Sequence, residues 1–173
     1  MSKLQSTITI TTIFLLLTTI SASKPRLPNV ARYGLSQADQ FLVPQNAVRA
    51  ALRVSPLVWD RRLKGYAQWY ANQRRYDCAL VHSNGPYGEN IFWGSGTGWT
   101  PLQAVSAWVD ERKWYRYVSN SCAGGQVCGH YTQIVWRETR RIGCARVTCV
   151  DGKGVFMICN YDPPGNYYGE KPY

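Results

Sequence analysis

Acidic residues are scarce in this sequence: 10 Asp and Glu stand against 20 Lys and Arg, a formal net charge of +10 at pH 7. Such a surplus favours acidic partners, for example anionic lipid, acidic polysaccharide or nucleic acid. The cations are dispersed as Arg61-Arg62, Arg74-Arg75, Arg112-Lys113 and Arg140-Arg141, with no long basic run interleaved with aromatics. The pattern therefore reads as a solvated basic surface, and no nucleic-acid partner is expected. The Cys-x-x-Cys spacing of zinc clusters is absent, as is the His-Glu-x-x-His signature of zinc proteases. There is no Asn-x-Ser/Thr acceptor, so N-glycosylation is not expected. Internal repeats and low-complexity tracts are also missing. After the first two dozen residues no stretch is apolar enough to cross a bilayer, so no transmembrane segment is expected.

What is present begins with an export leader. Lys3 precedes an uncharged run, Leu4 to Ser23, whose apolar heart spans Ile8 to Ile20, and Ser21-Ala22-Ser23 supplies the small residues a signal peptidase needs. Residues 1–23 are thus read as a signal peptide cut after Ser23. The mature chain would be secreted, monomeric and of ordinary single-domain length. Residues 24–35 carry Pro25, Pro28 and several cations without periodicity, and read as a flexible basic arm.

The six cysteines all lie in the mature chain, and an even number in an exported protein reads as a disulfide framework. Spacing alone permits about fifteen pairings. Asp151-Gly152 is a type I′ turn signal between two strand-like runs. With those two as the loop, Val150 faces Lys153 and, further out, Cys144 falls opposite Cys159, a distance a disulfide spans. Cys122 and Cys128 flank a Gly-containing loop that they can close. That leaves Cys78 for Cys149.

A helical pattern starts at Ser36 with Phe41, Val48 and Leu52 on one side, and Pro44 predicts a kink there or a helix that starts near it. Asp60 caps a second helix to about Arg75, with Leu63, Ala67, Tyr70 and Ala71 inward. Thr100-Pro101-Leu102-Gln103 reads as a capping box with proline at the first helical position, opening a stripe of Leu102, Val105, Trp108 and Val109. His130 to Arg137 reads as a strand, followed by the Cys144–Cys159 hairpin and an irregular tail from Asp162 to Tyr173. Helices first and paired strands later predict an α+β sandwich.

Only two histidines occur, His82 and His130. With Glu89 and Glu111 they make a candidate site for a divalent metal, or a set of acid and base groups. Ordinary backbone-bonded histidines and surface glutamates account for the same four residues from spacing alone.

The segments Leu80-Val81-His82-Ser83, Gly85-Pro86-Tyr87-Gly88-Glu89-Asn90, Trp108-Val109-Asp110-Glu111, Cys128-Gly129-His130-Tyr131-Thr132-Gln133-Ile134-Val135-Trp136 and Cys159-Asn160-Tyr161-Asp162-Pro163-Pro164-Gly165-Asn166-Tyr167 closely resemble the plant pathogenesis-related protein 1 family. That family belongs to the CAP superfamily, with the cysteine-rich secretory proteins and insect venom antigens. The resemblance runs from Ser36 to Tyr173 and implies a three-layer α-β-α sandwich with three disulfides, paired as above. It implies that His82, Glu89, Glu111 and His130 converge in one open cleft able to bind zinc or another divalent cation. Where many relatives carry His-Asn in the first helix, this chain has Gln45-Asn46.

Two further features follow from the resemblance. Trp114, Tyr115 and Tyr117 stand where the superfamily places a sterol-binding loop, although Lys113 replaces the usual proline. The tail Pro163 to Tyr173 resembles a defence-signalling peptide released by a protease after Asp162. The implied protein is a secreted, apoplastic, antimicrobial or antifungal defence protein acting on microbial surfaces through sterols or other lipids. A precursor of a C-terminal signalling peptide is the companion reading. The competing reading is a hydrolase, either metal-dependent or built on the two carboxylates. No serine or free cysteine nucleophile supports it.

Overall fold

The computed structural model describes residues 34–150 and 152–173. The export leader with its cut after Ser23, and most of the 24–35 arm, lie outside the described residues. At the arm's described end, Gly34 and Leu35 are exposed.

Ser36 accepts a hydrogen bond from the Asp39 N–H and starts α1, Gln37–Ala51. The helix passes through Pro44 and does not start there. Its buried line is Phe41, Gln45 and Arg49, while Val48 and Leu52 are only half-buried against the core. Two polar residues thus occupy positions that hydrophobic periodicity assigns to aliphatic ones. Gln45 is satisfied by donating to Phe41 O (3.0 Å) and accepting from the Tyr161 hydroxyl (2.9 Å). Asn46 brackets the Leu57 peptide, accepting from its N–H at 2.7 Å and donating to its carbonyl at 3.0 Å. The Gln45-Asn46 pair therefore has full local bonding without a histidine.

β1 (Val58–Trp59) leads into α2 (Arg61–Arg74), capped by Asp60, which accepts from the Arg62 and Leu63 N–H groups. Leu63, Ala67, Tyr70 and Ala71 are its buried face, as the periodicity predicts. β2 is Gly88–Ser95. α3, Pro101–Asp110, has the complete capping box of Thr100 and Gln103. Its inward residues are Ala104, Val105 and Trp108; Leu102 is 46 % exposed and does not belong to the stripe. A 3₁₀ turn over Glu111–Lys113 continues into a small ribbon of β3 (Tyr115–Arg116) and β4 (Ser121–Cys122).

The segment read as a strand from His130 is instead a short helix, α4, Gly129–Ile134. Its β-branched and aromatic end, Ile134-Val135-Trp136, carries strand propensity. Tertiary partners decide otherwise. Glu111 accepts from the His130 and Tyr131 N–H groups at 3.0 and 3.2 Å, serving the start of a helix whose own Cys128 makes no side-chain cap. Arg49 donates to Ile134 O and Trp136 O, both at 2.8 Å, at its far end. Ile134, Val135 and Trp136 are buried where they lie.

β5 (Arg141–Thr148) and β6 (Gly154–Asp162) form the central hairpin of a four-stranded sheet ordered β1-β5-β6-β2. The pairing puts Cys144 opposite Cys159, the expected register. The loop is not the two-residue turn expected around Asp151-Gly152: Val150 N–H donates to Arg75 O, and Lys153 O accepts from Gly96 N–H. These outside partners take the groups a two-residue loop would pair with each other; Asp151 itself lies outside the described residues. Residues 154–161 of β6 are buried throughout. Val155, Met157, Cys159 and Tyr161 pack with α1, α3 and α4, whereas Phe156 and Ile158 pack with α2. A strand covered on both faces is what a three-layer α-β-α sandwich requires. At Gly143 the α2 layer comes so close that a Cβ would lie 2.1 Å from Lys64 N, which only glycine permits.

The disulfides are Cys78–Cys149, Cys122–Cys128 and Cys144–Cys159. They tie α2's C-terminal connection to the hairpin, close the loop before α4, and cross-link the central strands. No helix among the described residues is long and apolar enough to cross a membrane.

Candidate functional site

The four candidate cleft residues assemble as two imidazole–carboxylate pairs. His82 Nδ1 lies 2.7 Å from Glu89 Oε1, and His130 Nδ1 lies 2.6 Å from Glu111 Oε1. Glu89 stands on the edge strand β2, on the same face as Ile91, which packs with α2. The next residue, Asn90, points to the other face and donates to His130 O at 3.1 Å. β2 therefore carries one glutamate of the set and, through Asn90, holds the backbone of His130. His130 also stacks on Trp108 of α3, with ring centroids 5.9 Å apart.

Each glutamate is held by more than its histidine. The Ser83 N–H donates to Glu89 Oε1 at 3.0 Å, and Ser83 Oγ and Asn160 Nδ2 donate to Oε2 at 2.5 and 3.2 Å. Glu111 carries the two α4 N–H bonds already described. Ser83, Asn90 and Asn160 were not singled out from the sequence, although all three sit inside the motifs quoted above. Ser83 and Asn90 adjoin His82 and Glu89 in the sequence, which was the available signal; Asn160 adjoins none of the four and is brought in by the pairing of β2 with β6.

The electrostatics follow from these bonds. The Glu89 carboxylate raises the His82 pKa above the usual histidine value, against a smaller opposing effect of burial. Burial alone would push the Glu89 carboxyl up, but hydrogen bonds from His82 and Ser83 outweigh it and hold the group below the usual carboxylate range. His82's contribution to stability is complete below the unfolded value of about 6.5 and is lost as pH rises through its higher folded value. Glu89's is complete above about 4.3 and is lost as pH falls through its lower folded value. The pair should therefore stabilise most between those limits, with solvent reducing the effect because His82 is 55 % exposed. An NMR titration should place the His82 midpoint above that of Glu89→Gln. Equal midpoints would dissolve the pairing.

With Nδ1 engaged, each imidazole keeps Nε2 for a ligand, the arrangement in which an outer carboxylate orients a metal-binding histidine. Imidazole donors suit zinc, copper or nickel. His82 and His130 thus each present one ring nitrogen suited to a divalent ion, with Glu89 and Glu111 behind them. Among the described residues no three His, Cys, Asp or Glu side chains gather into one ligand cluster, so a closed four-ligand site is not formed there.

The aromatic segment lies beside α4. Tyr115, in β3, bonds Asn120 Oδ1 at 2.8 Å and packs on Tyr131, with centroids 6.0 Å apart. Trp114 and Tyr117 are 37 % and 41 % exposed. Lys113 places its ammonium 5.3 Å from the Trp114 ring centroid, so the residue replacing proline makes a cation–π contact. An open cavity of about 310 Å³ runs between Tyr115, the Cys122–Cys128 bridge, Trp136 and Tyr167. The tail's first residue boundary, Asp162–Pro163, sits at the end of β6, where Arg141 grips the Asp162 carboxylate.

Residues 42–161 match the cysteine-rich secretory protein family, CAP. The chain is 65 % identical to the pathogenesis-related protein PR-1 of Medicago truncatula, over 92 % of this chain and 93 % of that one. It is 56 % identical to pathogenesis-related protein 1A of Nicotiana tabacum, over 80 % and 81 % of the two chains. The crystal structure of NaASP2 with Zn²⁺ superimposes with a TM-score of 0.66 at 26 % identity, covering 80 % of this chain and 86 % of that one. The chain belongs to the CAP family and, within it, to the plant pathogenesis-related protein 1 group.

Proposed function

We propose that this is a secreted, apoplastic defence protein that engages sterols or other lipids of microbial surfaces through Trp114, Tyr115 and Tyr117. The observation that carries the reading is the half-exposed aromatic ribbon beside an open cavity walled by Tyr115, Trp136, Tyr167 and a disulfide. Flat ring faces next to a cavity accept a rigid apolar ring system. The net charge of +10 adds attraction to anionic surfaces. His82 and His130 would hold zinc or a similar ion as a separate, stabilising element; the NaASP2 structure carries Zn²⁺ in its name. Pro163–Tyr173 would be the releasable signalling peptide, freed by a protease acting after Asp162.

The two-carboxylate hydrolase reading gains no support: both carboxylates are engaged by imidazoles, and Glu89 is held ionised, the opposite of what the acid of such a pair needs. Equilibrium binding of a fluorescent sterol to refolded 24–173 tests the main reading, run with zinc and with chelator. Saturable binding is expected, weakened about tenfold in Trp114→Ala/Tyr115→Ala by the loss of buried aromatic surface. Unchanged affinity in the variant would remove the ribbon from the account. An effect of chelator would tie the imidazole pairs to the lipid role. Mass spectrometry of wounded tissue tests peptide release, and finding only intact chains there would overturn it.

A further inference from the structure

The tail contains no helix or strand after Asp162, yet it is bound along its length. In its first half, Thr139 Oγ1 donates to Pro163 O at 2.9 Å, Gly165 N–H donates to Gln133 Oε1 at 3.0 Å, and Thr132 Oγ1 donates to Asn166 Oδ1 at 2.7 Å. A Cβ at Gly165 would sit 2.6 Å from the Trp136 ring, so the backbone lies flat against the body there. Tyr168 is fully exposed at the tip of a turn closed by Glu170 N–H, which donates to Tyr167 O at 3.1 Å. The second half is bound again: Asn120 Nδ2 donates to Glu170 O at 2.9 Å and Arg137 N–H to Pro172 O at 2.6 Å. Pro172 is buried.

Tyr117 meets the tail's end in three ways. Its hydroxyl donates to Tyr173 O at 2.7 Å, its ring stacks on the Tyr173 ring at 4.9 Å and 16°, and the Lys171 ammonium lies 4.5 Å from its centroid. The tail's far end therefore stacks on one face of the ring that the proposed function gives to lipid, leaving Tyr117 41 % exposed.

We infer that the body of the protein is a receptor for segment 163–173, so that a cut after Asp162 leaves the segment bound and Tyr117 still stacked on Tyr173. Cleavage removes only the tether, which supplies a high effective concentration. The hydrogen bonds, the Gly165 approach, the buried Pro172 and the Tyr117 stack remain. The ligand class this groove recognises is a peptide whose Gly-Asn turn fits α4 and whose Lys-Pro-Tyr end fits Tyr117. Release then needs a second event, and lipid engagement through Tyr117 and tail docking compete for one ring. The inference rests on the proposed peptide release only for the position of the cut.

The test uses the chain from 24 to 173 with a site-specific protease sequence inserted between Asp162 and Pro163, so it does not depend on a natural protease. After complete cutting under native conditions, segment 163–173 should co-elute with the body on size exclusion and separate only in denaturant. A labelled 163–173 peptide should exchange into the cut protein, and Tyr117→Ala/Asn120→Ala should weaken that exchange at least tenfold. Quantitative loss of the segment from the cut wild-type body in one native pass would overturn the inference, as would exchange unaffected by the two substitutions. The wild-type elution result stands even if the variant fails to fold. Absence of a natural cut in tissue would remove the precursor reading and leave this result untouched.

Discussion

Arg49→Leu is expected to lower the free energy of unfolding by about 3–5 kcal/mol, the size of effect seen when a buried charged network loses one member. Arg49 has 0 % exposure, and its partners are carbonyl oxygens: Ser55 at 2.7 Å, Ile134 and Trp136 at 2.8 Å, and Thr139 at 2.9 Å. Burial, with a smaller push from Arg140, lowers its pKa to about 10, which leaves it charged at neutral pH. One planar cation therefore satisfies four acceptors that leucine would strand in a dry interior. Against a typical total of about 5–15 kcal/mol, such a loss is severe. Arg49→Lys should recover only part of it, because one ammonium cannot reach the spread of acceptors that a guanidinium fork covers. Equilibrium urea unfolding with disulfides intact measures both. A leucine variant within about 1 kcal/mol of wild type would show the carbonyls finding other donors.

Replacing the Cys78–Cys149 bridge by two alanines should cost about 4 kcal/mol, from the loop-closure entropy of a separation of 71 residues. The same reasoning gives about 2 kcal/mol for Cys122–Cys128, separated by 6 residues. Chemical unfolding of the two double variants should preserve that order. The reverse order would mean that the short clasp acts mainly on the native state, by holding the loop that leads into α4 and His130. The comparison thus separates a staple on the unfolded chain from a support of the candidate site.

Much of the fold was readable because its determinants are local. Asp60 and the Thr100–Gln103 box act on N–H groups two or three residues away, so both helix starts are where their caps place them. The register of β5 and β6, and with it Cys144 opposite Cys159, followed from counting outward across a short loop, even though the loop closes differently. Leu102 failed for a different reason: a helix stripe predicts a face, but whether its first turn is covered depends on neighbouring layers.

The candidate site was legible as a set of residue types and only partly as an arrangement. His82 with Glu89 are seven residues apart and meet across one turn. His130 with Glu111 are nineteen apart, and their meeting depends on α4 being a helix. That Asn90, next to Glu89 in the chain, reaches the His130 carbonyl follows from the strand's alternation once β2 is paired to β6.

By itself the sequence determined a basic, six-cysteine α+β chain, its helix starts, its central hairpin register and its membership in the pathogenesis-related protein 1 group. All of these are set by short-range chemistry or by motifs several residues long. Only the tertiary structure decided that 129–134 is helical, that Arg49 is an internal donor to four carbonyls, and that the tail lies on Tyr117. Apart from the Ser55 carbonyl, six residues from Arg49, those outcomes rest on partners 19 to 90 residues distant, such as Glu111 for His130 and Arg49 for Thr139. Local propensity carries no record of them, because each is settled by which polar groups lose water together when the layers close.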